Sequence, residues 1–260
     1  AFNGIDISGI YNPATAPMFY DLRAKSLEEQ SLKPIGSLEE MRGNIFSAET
    51  ATDSVVNRLK NIPAYEVMFK NAFGENSINA QNIAKAIASF ERTLITTNTP
   101  FDNFMRGDDD ALSKKQKTGM TIFIDAGCNR CHNGPMLSDF KTHVLGVEDN
   151  SKLTASDDGE NGTYAFRTPT LRNLKYTAPY MHSGTINTLE DVVKFYNKTG
   201  RRESQNPHVS SASLARELPG PIKPEDISSL IDFLNSLNAE TFDKSAPATV
   251  PSGLKVGGNI

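Results

Sequence analysis

The chain has no tryptophan and only two cysteines in 260 residues. Two cysteines exclude a disulfide-stapled scaffold. No apolar run reaches the ~18 residues a membrane-spanning helix needs. An excess of positive charge is also missing. Lys and Arg number 27 against 31 Asp and Glu, a net charge of −4, which argues against a general nucleic-acid binder. What is present suffices for a folded protein. Hydrophobic residues make up 38% and charged residues 22%, which excludes a disordered or collagen-like chain. The length suits one large domain or two small ones. The first residues, Ala1-Phe2-Asn3-Gly4, show no initiator methionine and no signal-peptide pattern. The expectation is a mature exported protein or a piece of a longer one.

Hydrophobic spacing predicts mostly α structure with long loops. Ser26–Glu29 and Ser37–Glu40 both carry the Ser-x-x-Glu capping pattern. Helices are predicted over 51–61 (Val55, Val56, Leu59) and 64–73 (Tyr65, Met68, Phe69). The strongest repeat spans 79–96, with Ile83, Ala84, Ile87, Phe90 and Leu94 at three- and four-residue steps. Thr96-Thr97-Asn98-Thr99-Pro100 and the acidic run Asp108–Asp110 then suggest a domain boundary near 98–112. Further helices are predicted over 113–126, 188–198 and 223–237, the last with Ile227, Leu230, Ile231 and Leu234 on one stripe. Residues 133–180 are turn-rich, and strand signals are sparse.

Both cysteines fall in Cys128-Asn129-Arg130-Cys131-His132. This is C-x-x-C-H, the attachment pattern of c-type haem. Two thiols at this spacing reach the two vinyl groups of one haem, and the next residue supplies the proximal iron ligand. A thioredoxin-like pair needs a βαβ context that the flanks lack. A structural zinc site needs four ligands, and no second pair has zinc spacing. Haem c is attached outside the cytoplasm, so the expected compartment is periplasmic.

The sixth iron ligand stays open at this level. His143, His182, His208, Met120, Met136 and Met181 are candidates. So is Tyr196, because Leu189, Val192, Val193 and Tyr196 share one face of the 188–198 helix. A buried tyrosine that only packs fits the same spacing.

Four ordered segments then carry a resemblance. They are Cys128–His132 followed by Asn133-Gly134-Pro135, Phe166-Arg167-Thr168-Pro169-Thr170-Leu171-Arg172-Asn173, Thr177-Ala178-Pro179-Tyr180-Met181-His182-Ser183-Gly184, and Thr188–Asn197. Together they resemble the C-terminal haem domain of bacterial dihaem cytochrome c peroxidases and MauG. Met18–Ala24 and Ser26–Met41 resemble the N-terminal domain of that family, so the likeness covers about residues 18–240.

The resemblance implies cytochrome c-like haem domains. Residues 1–98 would be the remainder of the peroxide-binding domain, 99–240 the C-terminal haem domain and 241–260 a tail. It implies that His132 is the proximal ligand and Tyr196 the distal one, where cytochrome c peroxidases carry Met and MauG-like members Tyr. It implies that Thr177 and Pro179 offer carbonyls to an inter-haem calcium, whose hard charge suits oxygen ligands. Gln30 and Glu40 match a polar pair beside the peroxide-binding haem, where a carboxylate can move a proton between peroxide oxygens. Tyr20 stands where the family usually has a bridging Trp, so an oxidised bridge would lose a proton and communication would depend on pH. The family's first C-x-x-C-H is absent from this sequence.

The implied function is reduction of H2O2 by electrons from a small cytochrome or a protein substrate. The haem on Cys128 and Cys131 would act as the electron-transfer haem, a second haem would belong to the full protein, and a homodimer is compatible. The competing expectation is a one-haem electron carrier without enzymatic activity.

Overall fold

A computed structural model describes residues 4–6, 8–239 and 246–256. In chain order the helices are α1 (Leu27–Gly36), α2 (Ala48–Lys60), α3 (Pro63–Phe73), α4 (Ala80–Glu91), α5 (Pro100–Met105), α6 (Lys114–Asp125), α7 (Leu189–Gly200) and α8 (Pro224–Asn235). The strands β1 (Thr142–Val144) and β2 (Ala165–Arg167) pair antiparallel, with His143 opposite Phe166. The fold is mostly α with long loops, as expected. No helix among the described residues is long and apolar enough to cross a membrane.

The described residues divide into two units. One gathers 4–18, 24–95 and 246–256; the other gathers 19–23 and 96–239. The divide at Thr96 lies at the start of the Thr-rich break. The acidic run lies within the second unit, where Asp108 accepts from the Asp110 backbone N–H and caps a short 3-10 turn. No local pattern signals that Phe19–Arg23 groups with the second unit. Part of the expected 241–260 tail lies outside the described residues.

In the first unit Leu27 and Ile35 of α1, Ala51 of α2 and Ile83, Ala84 and Ala88 of α4 are buried. The strong repeat predicted over 79–96 overshoots. α4 ends at Glu91, and Phe90 and Leu94 are 64% and 63% exposed. Burial there follows Ile83, Ala84 and Ala88 instead, a stripe rotated away from Phe90. The two Ser-x-x-Glu patterns also differ from expectation. Ser26 Oγ accepts from Glu29 N, but the Glu29 carboxylate turns to Lys25 N. Ser37 precedes a π-helical turn, Leu38–Arg42, without a side-chain cap. Complete capping boxes form at Thr99/Asp102 and Ser113/Gln116, because Asp and Gln close the reciprocal bond as Glu does.

The second unit is built on α6 against α8. Phe123, Val193, Ile222, Leu230, Phe233 and Leu237 form its core. Gly119 makes the helix approach possible, since a Cβ there would lie 1.9 Å from the Ser229 carbonyl oxygen. Ile124 of α6 is 48% exposed.

Candidate haem-binding site

α6 ends on Gly127, whose φ of +83° is the left-handed stop that glycine allows. The haem motif starts at the next residue. Cys128–Arg130 forms a 3-10 turn, Cys131 N donates to Cys128 O, and His132 N donates to the same carbonyl at 3.0 Å. Both cysteines are free thiols, half-buried. His132 Nδ1 lies 3.1 Å from the Leu137 carbonyl. That bond sets the tautomer and leaves Nε2 for a metal. Burial lowers the His132 pKa, which favours the neutral imidazole a metal needs.

The motif opens onto a cavity of about 360 Å³. Cys128, Cys131 and His132 line it from the motif. Leu189, Val192, Val193 and Tyr196 line it from α7, so the stripe read from spacing faces the haem motif. Thr188 starts that helix by accepting from Asp191 N at 3.1 Å. Burial pushes the Tyr196 phenol pKa up, with the two cysteines adding to the effect. Among the described residues no hydrogen bond holds its hydroxyl. Burial also pushes the Cys128 thiol up to about 11.

Tyr20, Thr177 and Pro179 line the same cavity. Tyr20 is 43% exposed, and its partial burial raises the phenol pKa. Its carbonyl accepts from Arg167 N at 2.7 Å. Gln30 lies on α1 and Glu40, exposed, on the π-helical turn that follows it. Both belong to the first unit.

The rival ligands separate. Met181, His143 and His182 line the cavity, whereas His208 stacks on Tyr164, Met120 packs against the core and Met136 is not a lining residue. His182 stacks on Phe166 with ring centroids 3.4 Å apart. Its Nε2 is buried with no partner among the described residues.

Sequence reasoning passed over Arg167 and Asp139. Arg167 is 9% exposed, lines the cavity and lies 4.7 Å over the Phe140 ring. Burial pushes its pKa down to about 10. Asp139 Oδ2 lies 2.9 Å from His143 Nε2. With Cys131 these two residues bring ligand-type atoms within 4.8 Å of one another. His143 is pushed up to about 10, first by Asp139 and then by Cys131. Only a composite spacing, Cys131 to Asp139 to His143, could have signalled this cluster.

The residues present fit a covalent haem. The cavity is lined mainly by apolar side chains, two reduced thiols reach it, and one imidazole, that of His132, has its Nδ1 held by a backbone carbonyl. These are the elements that covalent haem attachment and proximal ligation require.

Comparison with known proteins gives the same direction. A family model described as di-haem cytochrome c peroxidase matches residues 4–110. The methylamine utilization protein MauG of Methylophilus methylotrophus is 34% identical over 237 residues, covering 88% of this chain and 66% of that protein. This chain belongs to the dihaem cytochrome c peroxidase and MauG family. Cytochrome c551 peroxidase of Pseudomonas aeruginosa is likewise 34% identical over 237 residues, with 86% and 62% covered. The chain therefore spans a little under two thirds of these curated relatives. A solved MauG-like protein associated with microbial copper homeostasis shares the fold, with a TM-score of 0.72 at 24% identity over 91% of this chain and 78% of that one.

Proposed function

We propose that this chain serves a dihaem peroxidase that reduces H2O2 with electrons from a small cytochrome or a protein substrate. The observation that carries the reading is the single cavity holding Cys128, Cys131, His132 and Tyr196. Haem, when bound, supplies the iron redox chemistry. The residues of the chain hold and tune it. Cys128 and Cys131 would attach it, and His132 Nε2 and Tyr196 would supply ligands to its iron. A phenolate ligand favours ferric iron and lowers the potential relative to Met.

Residues 1–98 belong in this reading to the peroxide-binding domain and 99–240 to the electron-transfer domain, with 241–260 as a tail. Gln30 hydrogen-bonds the peroxide, and Glu40 moves a proton from the near to the far oxygen. The second haem that this pair serves belongs to the full protein. Tyr20, lining the cavity, passes electrons. Thr177 and Pro179 offer carbonyls to Ca²⁺. The protein works in the periplasm, where haem c is attached, and a homodimer is compatible with its family. Family membership supports an enzyme over the one-haem carrier.

The test is to add H2O2 to the full-length protein with a reduced donor cytochrome. Donor oxidation together with a changed Soret band is expected. No spectral change and no turnover would overturn the enzymatic reading.

A further inference from the structure

We propose that Asn197 is a positioning residue for the Tyr196 phenol. It acts through the segment 219–222, which straps the helix carrying Tyr196 to the end of the helix that delivers the haem motif. The inference rests on the haem c reading above and deepens it by assigning what sets the place of the phenol.

Among the described residues the Tyr196 hydroxyl makes no hydrogen bond, so the place of the phenol follows from the position of α7. The next residue pins that helix. Asn197 Nδ2 donates to the Ile222 carbonyl, and Asn197 Oδ1 accepts from Ile222 N, each at 2.8 Å. One amide thus pairs both backbone groups of Ile222 by donating and accepting at once. Successive helical residues point about 100° apart, so Asn197 can hold the segment while Tyr196 turns into the cavity. Three residues further on, Gly200 lets the end of α7 close on the same segment. A Cβ there would collide with the Pro219 carbonyl oxygen.

The segment is also anchored beside the haem motif. Gly220 N donates to the Ala126 carbonyl at 2.8 Å. Ala126 caps α6 two residues before Cys128. Prolines at 219 and 221 fix φ on either side of Gly220. Ile222 is 5% exposed and packs in the core with Val193 and Leu230. A stiff, buried strap therefore runs from the cysteine wall of the cavity to the tyrosine wall. Core packing through Val193 and Phe195 keeps α7 on the protein. A metal ligand needs more, since it must be held within ~0.5 Å of its place. Two short hydrogen bonds at the residue beside Tyr196 supply that restraint.

The test is made on the full-length, haem-loaded protein. The readouts are haem content, the tyrosinate bands in the resonance Raman spectrum of the ferric protein, and the reduction potential of the haem on Cys128 and Cys131. Asn197→Leu keeps the size of the side chain and removes both hydrogen bonds. Haem content should hold, most of the tyrosinate intensity should be lost, and the potential should move in the direction that Tyr196→Phe moves it. Asn197→Gln, which keeps the amide, should restore part of the bands. Phe233→Leu loosens the same core, where Phe233 packs on Phe101 and Phe123, without touching the strap. It should lower the melting temperature and leave bands and potential as in the wild type. Wild-type bands and potential in Asn197→Leu overturn the proposal. So does an equal loss of bands in Phe233→Leu, which marks general loosening and not positioning. If Asn197→Leu does not accumulate, Gly200→Ala, which presses a Cβ onto the Pro219 carbonyl, is judged by the same criteria. If the wild type shows no tyrosinate bands, the Tyr196 ligand reading itself fails, a separate result that takes the proposal with it.

Discussion

Arg172 grips Asp102 through two hydrogen bonds of 2.9 and 2.7 Å, across 70 residues of sequence. The side chains are only 9% and 14% exposed. The same guanidinium donates from Nε to the Pro135 carbonyl at 2.8 Å. Pro135 lies two residues before Leu137, whose carbonyl sets the His132 ring. The ion pair thus braces the loop that orients the His132 ring.

Burial raises the Asp102 pKa, but Arg172 and the Thr99 donors outweigh it and hold the carboxyl at about 2, below the ordinary 3.8. A depressed carboxylate stabilises the fold above its unfolded pKa. That contribution, about 2 kcal/mol, is lost as pH falls from ~4 towards 2. Asp102→Asn leaves the Arg172 charge buried and unpaired. It should lower the unfolding free energy at neutral pH by about 3 kcal/mol or more and flatten the acid limb of the stability curve. Guanidinium unfolding of wild type and variant across pH measures both effects.

Gly119→Ala sets two effects against each other. Alanine gains ~1 kcal/mol of helix propensity over glycine. The new Cβ would meet the Ser229 carbonyl oxygen at 1.9 Å, an atom of the α8 backbone that cannot rotate away. Overpacking of this kind costs about 1–3 kcal/mol, so a net loss is expected. A raised melting temperature in this variant would contradict the close approach of α6 and α8.

Tyr196→Phe should change the ferric spectrum and raise the reduction potential of the haem on Cys128 and Cys131, because phenolate favours the ferric state. Protein fold and haem content should hold, since the Tyr196 hydroxyl makes no hydrogen bond among the described residues. Spectroelectrochemistry checks the shift. An unchanged ferric spectrum would reduce Tyr196 to packing.

Glu40→Gln tests the proton transfer. In the full-length protein, peroxide turnover should fall about 10²-fold or more with haem content unchanged. Gln30→Leu, which removes a hydrogen bond and not a proton carrier, should cost less. Stopped-flow mixing with H2O2 separates the two.

The helices and the haem motif were legible because their signals are local. α2, α3, α6, α7 and α8 follow apolar spacing within a residue or three of the expected ends. Phe90 and Leu94 show where spacing alone misleads. A periodic residue is buried only if another element covers it, and the repeat carries no information on that. The short strands β1 and β2 were missed because three residues offer no alternation to detect.

By itself the sequence determined the chemistry that depends on near neighbours. Cys128, Cys131 and His132 are consecutive enough to serve one haem, and Tyr196 shares a face with Leu189, Val192 and Val193. Tertiary structure alone decided which distant groups join them. It brought Tyr196 to the thiols while leaving His208, Met120 and Met136 outside the cavity. It also set Asp102 on Arg172 and placed Asp139 and His143 beside Cys131. The reason is physical. Periodicity specifies the direction of a side chain from its own helix, whereas the partner it meets is chosen by how separate elements pack.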